Sequence, residues 1–264
     1  MVKPVHISDV LLTIMEEFQQ TYNSDELANC YIPSGIDGID RIIKGFYDSE
    51  VSLIASMDSH EMQSLALSIV IDIAVNQKKS VCYFSMGKSK EDLVTEILAK
   101  DMGISSVRLK EANLQSNHWK KLMASLGKLD ESEIAIDENS KTIESINEKL
   151  TKFVSENPLD IIVIDRLDLI QDADSDNSIS EVFVQLQKVS TEFHVPVLVL
   201  FEVQNTDTQR LELADLSKYN NLDQLADPLL YLHINTSGDM VKELEVVKNT
   251  RGATGFCNLD VVKY

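Results

Sequence analysis

Two kinds of hydrophobic run alternate along the chain. Short, nearly continuous runs read as strands: EVSLIAS (50–56), SVCYFSM (80–86), EIAIDE (133–138), DIIVIDRL (160–167), VPVLVLFEV (195–203), PLLYLHIN (228–235), KELEVVKN (242–249) and FCNLDVVKY (256–264). Between them, apolar residues recur with helical period over about 62–76, 89–102, 116–127, 141–155 and 178–193. Runs as apolar as DIIVID and VPVLVL suit central strands of a parallel sheet covered on both faces. The last segments, with shorter intervals, read as antiparallel additions at the sheet edge. The pattern predicts an α/β fold, a mainly parallel twisted sheet flanked by helices. It contains no internal repeat.

The first 30 residues stand apart. HISDVLLTIMEEFQQTY (6–22) sets Ile7, Val10, Leu11, Ile14, Phe18 and Tyr22 on one helical stripe, and polar NSDELAN follows. The chain therefore divides into a helix with a polar connector (1–30) and a main body (31–264) that opens on IPSGIDGIDRIIKGF, a short helix between Pro and Gly turns. An isolated amphipathic helix must bury its stripe on its own domain or in a neighbour's groove.

Composition narrows the chemistry. Of 264 residues 44% are hydrophobic, enough for a substantial core, and 43 acidic against 24 basic residues give a net charge of −19. So acidic a chain repels a phosphate backbone unless cations gather on one face. The closest approach to such a face is residues 108–128, with Arg108, Lys110, Lys120, Lys121 and Lys128, and helical spacing makes it a solvated helix face. Cys30, Cys82 and Cys257 lack CxxC spacing, and the histidines are scattered, which predicts free thiols in a cytoplasmic protein and no metal site. No run is long enough to span a membrane, and MVKPVHISDV lacks a signal-peptide core.

A set of segments carries a specific resemblance: IPSGIDGIDRIIKGF (32–46), YFSMGKS (83–89), HWKKLMASLGKLDESEIAIDE (118–138), LDIIVIDRLDLIQ (159–171), FHVPVLVL (193–200), LDQLADPLLYLHI (222–234) and VKNTRGATG (247–255). In order and spacing the chain resembles the RecA-like motor domain of DnaB-type replicative helicases with its preceding linker helix, from about Lys3 to Tyr264. Trp119 and LGKL (126–129) are expected to be core and packing residues.

The resemblance makes VSLIASMDSHEMQSLAL (51–67) the phosphate-binding segment, strand to turn to helix. Such a turn needs glycines so that backbone N–H groups can wrap phosphate, a lysine for charge and a hydroxyl for Mg²⁺. The glycine position is Glu61, the lysine position Met62 and the hydroxyl position Gln63, and Asp58 adds another anion. A like charge at 4–5 Å costs about 3–4 kcal/mol at an effective dielectric near 20. Losing the lysine as well removes an affinity worth about 8 kcal/mol at micromolar binding. The family's water-activating glutamate falls at Gly87, its nucleotide-sensing glutamine at Glu202 and its arginine finger at Thr250, with Arg251 next along. Asp165, the Walker B aspartate of the family, and Lys248, the lysine that reaches a neighbour's site, are retained. A plainer explanation of Asp165 is a structural hydrogen bond at a strand end.

The family's DNA-gripping loop here reads QDADSDNSISE, with Asp172, Asp174 and Asp176 and no cation, which disfavours single-stranded DNA. The expected function is a non-catalytic pseudo-ATPase without nucleotide or other cofactor, acting through protein contacts. Its implied partner is a DnaB-type replicative helicase, docked through the Ile7–Phe18 stripe and the face bearing Lys248. Two alternatives remain open: a self-assembling ring or scaffold of its own copies, and a divergent ATP-dependent helicase.

Overall fold

Alternation within each strand decides the layering. A computed structural model describes residues 31–172, 176–204, 210–235 and 241–259, together with Ile7, Leu11 and Met15. The first half runs β1 (Tyr31–Ile32), α1 (Asp37–Ile43), β2 (Phe46–Tyr47), β3 (Val51–Ser56), α2 (Ser59–Ile71), β4 (Val81–Ser85), α3 (Lys90–Met102), α4 (Ser106–Lys110) and α5 (Ser116–Asp130). The second half runs β5 (Ile134–Asp137), α6 (Ile143–Glu156), β6 (Ile161–Asp165), α7 (Asp176–Phe193), β7 (Val197–Glu202), α8 (Leu213–Ser217), α9 (Leu222–Leu225), β8 (Leu229–Asn235), β9 (Val241–Lys248) and β10 (Gly255–Leu259).

The main sheet has the order β10-β9-β8-β3-β7-β6-β4-β5. It is parallel from β8 to β5 and antiparallel where β9 and β10 extend its edge. On β6, Ile162 and Ile164 face one core, shared with α6 and α7, while Ile161 and Val163 face the other, shared with α1, α2 and α3. On β7, Val199 and Leu200 divide in the same way. Each such side chain taken out of water contributes on the order of 2 kcal/mol, so an unbroken apolar run suits a strand with two dry faces. No helix among the described residues is long and apolar enough to cross a membrane.

The structure changes the sequence reading at four places. Between the strand ending at Ser56 and the helix expected from about 62, the phosphate-segment turn is only Met57 and Asp58: α2 already begins at Ser59. Past Ile71 the same helix widens into a π turn over Asp72–Asn76. The short elements β1, β2, α4, α8 and α9 are below the length at which periodicity registers. Trp119 is not a core residue. On α5 the buried or half-buried stripe is His118, Leu122, Ser125 and Leu129, which leaves Trp119 (53%), Met123 (66%) and Leu126 (42%) exposed on the adjoining one. Of LGKL, only Leu129 packs on the core.

Candidate functional site

β3 delivers the chain to the carboxyl edge of the sheet, and Ser56 sets the sharp turn there. Its hydroxyl donates to the Leu232 carbonyl (3.0 Å) and accepts from the Asp58 N–H (3.1 Å). Asp58 then caps α2: its carboxylate accepts the Glu61 N–H (3.0 Å), and its carbonyl accepts the Met62 N–H (3.1 Å). The chain's own carboxylate thus occupies the positive end of the helix. Of the three residues expected at the glycine, lysine and hydroxyl positions, Met62 is fully buried, Gln63 is buried, and Glu61 pairs with Lys242 of β9.

β6 places Asp165 beside this helix, and β4 brings Tyr83 and Lys88 to it. Because Ser85 pairs with Asp165 and Tyr83 with Val163, Tyr83 and Asp165 share a sheet face. Asp165 accepts hydrogen bonds from the Tyr83 hydroxyl (2.6 Å) and from Gln63 Nε2. The Gln63 carbonyl oxygen accepts in turn from Lys88 Nζ, which also pairs with Glu96 of α3 at 2.6 Å. Burial pushes the Asp165 carboxyl above its ordinary range, against the pull of Tyr83, Gln63, Lys88 and Arg166. Burial, then the Asp165 charge, raises the Tyr83 phenol. The result is a closed chain Tyr83–Asp165–Gln63–Lys88–Glu96, with a cavity of about 220 Å³ beside it lined by His60, Gly87, Arg166 and Leu169.

The remaining positions are also tied down within the chain. A side chain at Gly87 would meet Leu169 Cδ1 at 2.9 Å. Glu202 pairs with Arg166, which also holds Asp168 at 2.7 Å. Lys248 Nζ donates to the Gln224 carbonyl (2.6 Å) at the end of α9, and the Thr250 N–H donates to Asp227 (3.1 Å). Arg251 bonds Glu50 (2.6 Å) and stacks 4.4 Å above the Tyr47 ring. The structure thus joins Gln63 to Asp165, and Glu202 to Arg166 beside it, while Lys248, Thr250 and Arg251 pair elsewhere.

Of the acidic loop, Asp172 caps α6 by accepting the Ile143 N–H (2.8 Å), whereas Asp174 lies outside the described residues. The basic run is dispersed: Lys110 pairs with Asp92 (2.6 Å), Lys128 with Asp101 (3.2 Å), and Lys121 bonds the Met102 carbonyl (3.1 Å). In the N-terminal segment Ile7, Leu11 and Met15 are helical and exposed, while Val10, Ile14, Phe18 and Tyr22 lie outside the described residues. Cys82 and Cys257 are free thiols. Among the described residues no group of His, Cys, Asp and Glu is placed to hold a metal ion.

Sequence reasoning missed Tyr83, Lys88 and Glu96. The available signal was the strand register, which sets Tyr83 two residues behind the position paired with Asp165.

A family profile for the DnaB-like helicase C-terminal domain matches residues 31–263. The chain belongs to this family. It is 28% identical to the replicative DNA helicase DnaC of Bacillus subtilis (strain 168), over 98% of this chain and 60% of that protein. To DnaB of Geobacillus stearothermophilus it is 26% identical, again over 98% of this chain and 60% of the relative. The chain thus spans about 60% of the length of these curated relatives. A solved DnaB-like replicative helicase, described with its interactions with primase, superposes with a TM-score of 0.81 at 25% identity, covering 97% of this chain and 65% of that one. A second solved structure, an ATPase domain on its own, superposes with the same TM-score of 0.81, at 26% identity over 97% of this chain and 95% of that domain. The DnaB-like chain therefore has the RecA-like fold, with Asp165 at the sheet edge where β3 hands over to α2.

Proposed function

We propose that this DnaB-like chain is a non-catalytic subunit that binds and modulates a DnaB-type replicative helicase through protein contacts. One observation carries the reading: the segment aligned with the phosphate loop is helix from Ser59, capped by Asp58. The residues present do not fit a magnesium nucleotide. Amides that would wrap phosphate are already bonded to Asp58, and Glu61 with its Lys242 partner stands where a phosphate-cradling glycine would. Gln63 and Tyr83 both donate to Asp165 Oδ2, so that oxygen is already engaged within the chain. Gly87 offers no general base.

Docking is supported by apolar surface left open while polar chemistry is closed. Trp119, Met123 and Leu126 form an exposed stripe on α5, and Ile7, Leu11 and Met15 expose a second at helical spacing. An exposed apolar stripe gains free energy when a partner's apolar surface covers it. A related subunit that docks but does not turn over ATP alters ring assembly or loading. The same pair of stripes favours a second reading, association of copies of this chain with one another.

The test is twofold. Calorimetry with MgATP on the purified chain is expected to give no saturable heat, and co-purification with the host's replicative helicase is expected to recover a complex. Saturable MgATP binding with turnover overturns the non-catalytic assignment. A large homo-oligomer by light scattering that leaves helicase behind selects the second reading.

A further inference from the structure

α2 also borders a larger cavity than the one beside Asp165. This second cavity, of about 480 Å³, lies between α1, α2, α3 and the edge strands, and the two share no lining residue. Its volume is in the range of small-molecule sites. Glu61, Ser64, Leu65 and Ser68 line it from α2 at i, i+3, i+4 and i+7, one helix face. Across from them stand Lys100 of α3 and Lys242 of β9.

Two features make this cavity unlike the surrounding surface. First, in a chain of net charge −19 it brings two ammonium groups together, Lys100 and Lys242, with Glu61 paired to Lys242 and Asp37 the other carboxylate of the lining. Lys100 Nζ donates to the Ser64 hydroxyl at 2.8 Å, which aims it along the helix face. Burial first, and Lys242 second, lower the Lys100 amine to about 8, with Glu61 opposing. Among the described residues lining this cavity and the neighbouring one, the other charged or titratable groups are Asp37 on α1, His60 on α2 and Glu96 on Lys100's own helix. Second, part of the lining is apolar: Leu65 and Leu232 are buried there, and Ile36 and Leu259 are half-buried. Gly35, which also lines the cavity, has a φ of 76° and lies so close to Asp72 that a Cβ would fall 2.1 Å from its carboxyl carbon.

We propose that this cavity binds a small amphiphilic anion, a carboxylate or phosphate monoester on an apolar body of a few carbons. The anionic group bridges Lys100 and Lys242 and displaces Glu61 from Lys242. Ser64, whose hydroxyl accepts from Lys100, supplies a hydroxyl donor, and the apolar body lies against Leu65 and Leu232. A bound anion favours the charged form of Lys100, so affinity falls as the pH rises through about 8. The site shares the Glu61–Lys242 pair with the non-catalytic reading, but no residue of the Asp165 centre lines it, and its probes are read without ATP.

The experiment is calorimetry on the full chain with hexanoate and with phenyl phosphate, alongside hexanol and inorganic phosphate. One saturable site is expected for hexanoate or phenyl phosphate, and none for hexanol. Lys100→Gln and Lys242→Gln should each weaken it at least about tenfold, the worth of one charged contact, and Glu61→Gln should tighten it. In the unaltered chain the probe should shield Lys100 from acylation at pH 8, read by mass spectrometry. Shielding together with Lys242→Gln decides the matter even where Lys100→Gln does not fold. Absence of saturable binding by both probes, or binding unchanged in the lysine variants, overturns the proposal. Inorganic phosphate binding as tightly as phenyl phosphate overturns its apolar half.

Discussion

The carboxyl edge of the sheet and the outer face of α5 treat their side chains in opposite ways. At the sheet edge, Asp58, Gln63, Tyr83, Lys88, Glu96 and Asp165 are joined by hydrogen bonds and ion pairs to other groups of the same chain. On α5, Trp119, Met123 and Leu126 face solvent. A polar group is reactive toward a ligand when it is desolvated and still has bonding capacity; spent on an internal partner, the same group becomes structure. An exposed apolar stripe is the reverse case, since it gains free energy only when something covers it. Side by side, the two regions describe a RecA-like fold whose polar groups at the sheet edge bond inward and whose apolar stripe on α5 is turned outward.

The largest expected effect tests the inward half. Asp165→Ala leaves the Tyr83 hydroxyl and the Gln63 amide buried without their acceptor, and should cost about 3 kcal/mol in urea unfolding. A midpoint equal to wild type would mean that the network is dispensable. Next comes the outward half. Trp119→Glu with Met123→Glu should leave the unfolding midpoint within about 0.5 kcal/mol. Capture of the replicative helicase, or of a second copy, should fall about 30-fold, equivalent to roughly 2 kcal/mol at a buried anchor. Unchanged capture would remove α5 from the interface.

Asp58→Ala tests the join between the regions' logics, for it removes only the cap. It should cost about 1 kcal/mol and should not create nucleotide binding, because Gln63 still holds Asp165. The smallest effect is on pH dependence. The Lys100 amine sheds its proton near pH 8 in the folded chain and nearer its ordinary 10.5 when unfolded. In that window the unfolded state binds more protons, so wild-type stability should climb with pH relative to Lys100→Met. Parallel curves for the two proteins would contradict the burial of that amine.

Much of the layering was legible in the residues. IIVID and VLVLF are apolar on both alternations, and only a strand with two covered faces uses such a run. Where the order was misread, the physical reason is local competition. Asp58 sits three residues before Glu61, the spacing at which a carboxylate caps a helix, and the cap converted an expected turn into the first turn of α2. Trp119 was misplaced because α5 carries two adjacent apolar stripes and period alone does not say which one meets the core.

By itself the sequence determined the order of the family's segments along the chain, because motif order and residue type are one-dimensional facts. It also determined the alternation that separates the two cores. Tertiary structure alone decided which of their residues meet. Gln63 and Asp165 are 102 positions apart, and Tyr83 joins them from a third element. Lys100 and Lys242 come to Glu61 from a helix and an edge strand far apart along the chain. Hydrogen bonds and ion pairs act over a few ångströms, and only the folded sheet brings those distances about.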